Sequence, residues 1–250
     1  MMQMPALEEL LPLVKCAELL AQKYDVVVTN PPYMAVSNAG AKVNDYVKKY
    51  FPDSKADMFA VFIEHCGQMA KKNGYQAMIT QHAWMFLSSF EKLRTKLLAV
   101  DIVNMAHLGA RAFEEIGGEV VQTTAFVRCA NHVDGYKGTY CRLIEPTSQQ
   151  GKEDMFLAGQ NRYVANQDDF EKIPGMAVAY WASHNILSKF QEKQIGDVAL
   201  LCQGLTTTNN EKYVRQWTEL NVERIGFLMT EELALKSRKK WFPFNKGGTF

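Results

Sequence analysis

No glycine occurs among the 29 residues that precede Asn30. That excludes a glycine-rich nucleoside- or phosphate-binding turn from the first part of the chain, since such turns rely on a residue without a Cβ. The cysteines are few and scattered: Cys16, Cys66, Cys129, Cys141 and Cys202 form no Cys-x-x-Cys pair. A disulfide framework and a thiolate zinc site are thereby excluded, and a reducing, cytoplasmic setting is expected. Long apolar runs are also missing, so no membrane partner is expected. Net charge is scarce too, at +1 from 28 basic and 27 acidic residues, so any nucleic-acid surface has to be local. His65, His82, His107, His132 and His184 lack metal-ligand spacing and read as structural or surface residues. There is no internal repeat.

What is present has the rhythm of an open α/β sheet. Leu7, Leu10, Leu11, Val14, Ala17 and Leu20 recur at helical spacing over 5–22. The β-branched run 24–29 then predicts a buried parallel strand, stopped by Asn30-Pro31-Pro32-Tyr33 because the prolines cannot continue a hydrogen-bonded ladder. A loop over 34–54, with a short helix near Tyr46, leads to a helix over 56–72. Asn73-Gly74 ends that helix, and strand 75–80, helix 86–98 and strand 101–108 follow. Phe113 to Gly118 reads as a turn, 119–129 as a strand, and 138–144 as its antiparallel partner. Ligands of such a sheet lie beyond the C-terminal ends of its strands. A polar stretch from 145 to about 168 suggests a boundary, and Leu200 to Asn210 opens a Gly-, Thr- and Asn-rich region.

Asn-Pro-Pro-Tyr offers two fixed acceptors, the Asn30 side-chain carbonyl and the Pro31 backbone carbonyl, with the face of Tyr33 beside them. Two acceptors can hold both hydrogens of an exocyclic amino group, and an aromatic face can stack on the ring that carries it. The same pair could present itself to the amide nitrogen of a glutamine side chain.

The longer pattern is more specific. The segments Val26 to Tyr33, Lys55-Ala56-Asp57-Met58-Phe59, Gln81 to Ser89, Phe113 to Thr124 and Trp241 to Gly248 occur in that order. Together they resemble the PglX-type adenine-specific DNA methyltransferases of bacterial phage-exclusion (BREX) systems. The resemblance implies methyl transfer from S-adenosylmethionine to adenine N6 in double-stranded DNA, with other phage-defence proteins as further partners. It implies a fold in which 1–145 is the C-terminal half of a Rossmann-like methyltransferase sheet, 146–195 a linker and helical region, and 196–250 the start of a mixed target-recognition region.

It also implies that Asn30, Pro31, Pro32 and Tyr33 grip the target adenine, that Phe113 stacks on its other face, and that Asp57 lines the donor pocket. Lys55, Thr206, Asn209, Lys236, Arg238, Lys239, Lys240 and Lys246 are candidate DNA contacts. In this family the donor-binding motifs precede Asn-Pro-Pro-Tyr, so the chain is expected to be an internal piece, inactive or weak alone. A protein glutamine methyltransferase and a non-catalytic DNA-binding or scaffold fragment remain as alternatives, and the oligomeric state is open.

Overall fold

The computed structural model describes residues 4–113, 121–200 and 207–244. The chain divides into two compact units, Met1–Lys193 and Gln194–Phe250.

The first unit begins with helix α1 (Met4–Ala21), which runs through Pro12 and feeds strand β1 (Tyr24–Thr29). After the Asn-Pro-Pro-Tyr turn come a 3₁₀ turn (Val36–Ala39) and helix α2 (Ala41–Tyr50). Helix α3 (Met58–Met69) leads into strand β2 (Ala70–Gln81). Two short 3₁₀ turns, His82–Met85 and Ser88–Phe90, then precede helix α4 (Glu91–Leu97). Strands β3 (Ile102–Gly109), β4 (Thr123–Cys129) and β5 (Lys137–Arg142) follow. Helix α5 (Gln149–Leu157), strand β6 (Arg162–Asn166) and helix α6 (His184–Lys189) complete the unit.

The six strands form one mixed sheet in the order β1-β2-β4-β3-β5-β6. The β1–β2 and β3–β5 pairs are parallel, whereas β4 is antiparallel to both β2 and β3. This corrects the expected antiparallel partnership of β4 with residues 138–144: both edges of β4 are already occupied, so β5 takes the free edge of β3. Gly138 permits the approach, because a Cβ there would stand 2.2 Å from the Ile102 carbonyl oxygen. Gly74 does the same at the start of β2, where a Cβ would lie 2.9 Å from the Asp25 carbonyl oxygen.

One face of the sheet carries the core. Phe59, Ile63, Trp84, Leu93, Met105, Phe126 and Tyr180 belong to one buried cluster. Truncating Ile63 to Ala would cost about 2–5 kcal/mol. Arg94 is buried within this layer and donates to the carbonyls of Trp84, Leu87 and Gly175, tying the turns after β2 to the segment before α6. A smaller cluster of Val36, Val47, Phe51 and Val61 seats α2 on α3.

The other face is open. β1 is an edge strand rather than the buried strand expected, with Val26 54 % and Val28 71 % exposed. Leu10, Leu11, Val14 and Leu20 of α1 are exposed too.

In the second unit, helix α7 (Asn210–Tyr213), two 3₁₀ turns (Trp217–Glu219 and Val222–Arg224) and helix α8 (Glu231–Lys236) surround a parallel bridge between Ile225 and Trp241. Among the described residues, no helix is long and apolar enough to cross a membrane.

Candidate active site

β1 pairs with β2 as far as Thr29, opposite Met78. Pro31 and Pro32 have no backbone N–H, so the ladder ends there and the Asn30 side chain is released at the C-terminal rim of the sheet. Asn30 is exposed and lines one end of a cavity of about 810 Å³ that runs along the open face past Val28, Ile79, Ala106, Val127 and Thr139. Pro31 is buried beside it and Pro32 is exposed. Tyr33 turns the other way: its ring meets Phe59 edge-on, at 6.3 Å between centroids and 84° between planes. The Tyr33 hydroxyl is buried without a hydrogen-bond partner, and burial pushes the phenol up to about 12.

The segment after the motif is fastened to the start of α3. Asp57 caps that helix by accepting the Phe59 amide, and the same oxygen accepts the Met34 amide. The Met34 carbonyl in turn accepts the Met58 amide at 2.9 Å, and Ala35 forms an antiparallel bridge with Asp57. Burial raises the Asp57 carboxyl above its usual range, while its hydrogen bonds to Phe59, Met34 and Met58 pull the other way. Lys55 is exposed two residues earlier, near Asp53.

Phe113 is half-buried and lines a separate cavity of about 520 Å³ with Leu108, Leu143, Lys152 and Phe156. Among the described residues its ring does not meet that of Tyr33, and the rest of the expected turn, Glu114 to Gly118, lies outside the described residues. Lys152 is buried next to it and donates to the Leu108 and Leu143 carbonyls at 2.6 and 2.7 Å, so this cation bridges the ends of β3 and β5. Desolvation lowers its pKa.

In the second unit, Asn209 caps α7 by accepting the Lys212 amide at 3.0 Å. Lys236 ends α8, and Arg238, Lys239 and Lys240 follow it. Lys239 donates to the Glu223 carbonyl, while Lys240 and Arg215 stand over the Trp241 ring at 5.2 and 6.0 Å. Thr206 and Lys246 lie outside the described residues.

A second cluster, which no sequence motif marks, lies at the same rim. His82 Nδ1 lies 2.8 Å from His107 Nε2, and His107 Nδ1 lies 3.1 Å from the Tyr180 hydroxyl. These residues are 25 and 73 positions apart, and only the sheet topology brings them together.

Residues 7–113 match the Eco57I restriction-modification methylase family. The chain is 46% identical over 250 residues to the adenine-specific methyltransferase PglX of Lacticaseibacillus casei (strain Zhang), covering 97% of this chain and 21% of that protein. It is 40% identical over 249 residues to the adenine-specific methyltransferase BrxX of Escherichia coli O9:H4 (strain HS), covering 98% of this chain and 20% of that one. Over nearly its whole length the chain is thus similar to a segment of these PglX-type adenine-specific methyltransferases, and it spans about a fifth of the length of these relatives. A chain from a solved type I restriction-modification system is similar at 15% identity with a TM-score of 0.49, covering 68% of this chain and 39% of that one; a likeness this loose carries no argument about function.

Proposed function

We propose that this chain supplies the base-receiving half of a DNA adenine-N6 methyltransferase. The observation that carries the reading is the placement of Asn30 and Pro31 at the open C-terminal end of β1, beside a cavity and next to a braced loop. The lone pair of an exocyclic amino group is delocalised into its ring. Two fixed acceptors, the Asn30 side-chain oxygen and the Pro31 carbonyl, can take both amino hydrogens and turn that lone pair toward an electrophile. Because the loop is held by Asp57 and by packing of Tyr33 on Phe59, the acceptors are set before a base arrives. Such preorganisation is where most of the rate enhancement would come from.

S-adenosylmethionine, when bound, supplies an already electrophilic methyl group. The residues described here fit the methyl-receiving side of that donor and not its nucleoside. Asn30 faces the cavity, but Asp57 commits one carboxylate oxygen to two backbone amides and acts as a brace for the loop. DNA is the partner in this reading: Lys240 stands over the Trp241 ring, and Lys236 and Arg238 precede it by a few positions in sequence, a combination suited to phosphates and bases.

The test is nucleoside mass spectrometry of unmethylated plasmid DNA incubated with S-adenosylmethionine and the protein. The expected result is N6-methyladenine that is lost in Asn30→Ala. Methyl transfer to a glutamine peptide with none to DNA would overturn the reading in favour of protein amide methylation.

A further inference from the structure

The cluster at the ends of β2 and β3 has features that core packing does not require. His107 and Tyr180 are buried at 4 % and 3 % exposure, and their contacts use both nitrogens of His107 and Nδ1 of His82. Burial lowers the pKa of both imidazoles, so the hydrogen-bond chain is neutral and its proton order fixes the tautomer of His82. His82 Nε2 is left over. It has no hydrogen-bond partner among the described residues and is not one of their buried unpaired polar atoms, so it reaches the surface of the rim.

Trp181, which shares Phe86 and His107 as ring neighbours with His82, is 40 % exposed. Its ring is 5.8 Å from Phe86 and 6.5 Å from His107, the latter at an interplanar angle of 29°. Arg142 stands 5.8 Å from the same ring. His107 and Arg142 are register neighbours across the β3–β5 pair, Tyr180 meets the Trp181 ring edge-on at 4.9 Å, and the exposed part of that ring is accessible from the rim. Arg142 is already paired with Glu145 at 2.6 Å. The rim therefore offers a flat aromatic face and one oriented imidazole nitrogen, with little free charge.

We propose that Trp181 and His82 form a seat for a second unpaired nucleobase of the DNA, distinct from the adenine received at Asn30 and Pro31. The base stacks on the exposed part of the Trp181 ring, and its edge hydrogen-bonds to His82 Nε2. His107 and Tyr180 are positioning residues that hold the His82 ring. This inference rests on the proposed DNA reading.

The experiment is fluorescence anisotropy of the 250-residue chain with two labelled probes, an oligodeoxyadenylate and an abasic strand of equal length. Stacking predicts tighter binding of the oligodeoxyadenylate. Trp181→Ala and His82→Ala should each weaken it about tenfold, with Trp181→Phe recovering most of the loss. Binding of the abasic strand and the salt dependence should not change, since no phosphate contact is removed. Equal affinity of these variants and the unaltered chain for oligodeoxyadenylate would overturn the seat while leaving DNA binding intact. Failure of the unaltered chain to bind either probe would overturn both readings. Photo-crosslinking of 5-iododeoxyuridine-substituted DNA to the unaltered chain is independent of how the variants fold. An adduct on the peptide carrying Trp181 supports the seat, and adducts confined to other peptides count against it.

Discussion

Oδ1 of Asp57 accepts the amide of Met34 at 3.1 Å, across 23 positions of sequence. That bond joins the residue just after Asn-Pro-Pro-Tyr to the start of α3, and the same oxygen caps the helix through Phe59. Asp57→Ala removes both acceptances and should lower stability by about 1–2 kcal/mol, in the range of a lost N-cap. Asp57→Asn keeps an acceptor and should lose less. Urea denaturation of the three proteins checks this. Equal losses for Ala and Asn would mean that the carboxylate charge, and not the acceptor, matters.

Tyr33 bears a buried hydroxyl with no partner. Leaving such a group unpaired is costly, so Tyr33→Phe should fold at least as stably as the unaltered chain and gain up to about 1 kcal/mol. The packing on Phe59 survives the change. Thermal denaturation that shows a clear loss for the Phe variant would mean that the hydroxyl has a partner in solution. Tyr33→Ala should instead lose the edge-on aromatic contact, worth about 0.5–1.5 kcal/mol beyond its buried area.

Much of the first half was legible because its signals are local. The β-branched run ended by two prolines gives strand 24–29 with the bounds observed, and the periodicity over 56–72 contains α3. What was hidden depends on long-range pairing. β6 sits in a polar stretch that has no strand alternation, and it exists because β5 offers a free edge. Helix 86–98 begins later than its apolar spacing suggests, since Arg94 holds the preceding turns by their carbonyls. In the candidate site, Asn30 to Tyr33 were legible as chemistry, whereas the bracing role of Asp57 depends on Met34 being folded back onto it. The histidine pair left no trace in the sequence because β2 and β3 are joined only through β4.

His107 has its pKa lowered to about 3, chiefly by desolvation, against 6.5 in an unfolded chain. A lowered folded pKa means that the unfolded state binds the extra proton between these values. The contribution of His107 is thus fully present above about pH 6.5 and is lost as the pH falls toward about 3. His82 is shifted in the same direction. His132 has the opposite sign, raised by the Asp101 carboxylate. Its stabilisation is complete at acid pH and is lost only as the pH rises through its folded value, so it adds no slope on the acid side. Between about pH 4 and 5.5, stability should fall on acidification by about 1.4 kcal/mol per pH unit for one proton. Urea titrations of the unaltered chain and His107→Gln check the assignment, since the variant should show a shallower slope.

Lys236, Arg238, Lys239 and Lys240 do not have equal freedom. Lys239 is engaged with the Glu223 carbonyl, and Lys240 lies over Trp241. If this surface meets DNA phosphates, Arg238→Ala should weaken binding uniformly across sequences and reduce the slope of log affinity against log salt by about 0.9. Lys239→Ala should change the slope less, because its ammonium is partly committed within the protein. Anisotropy titrations over a salt series decide between this and a solvated basic surface, for which neither slope would move.

The open face of the sheet has a consequence for the chain on its own. Val28 is 71 % exposed at the mouth of the cavity that Ile79, Ala106 and Val127 continue, and β1 is an edge strand with unpaired backbone groups on its outer side. An apolar face beside an unpaired edge is a site of association in water. Sedimentation velocity should show the 250-residue chain self-associating as its concentration rises, with binding of a hydrophobic dye. Val26→Lys combined with Val28→Lys places two charges on the exposed side of the edge strand and should shift the distribution toward monomer, leaving the opposite, helix-covered core untouched. A chain that stays monomeric and binds no dye would mean that this face is covered in solution, and the exposed leucines of α1, which leads directly into β1, are the nearest group in sequence able to cover it.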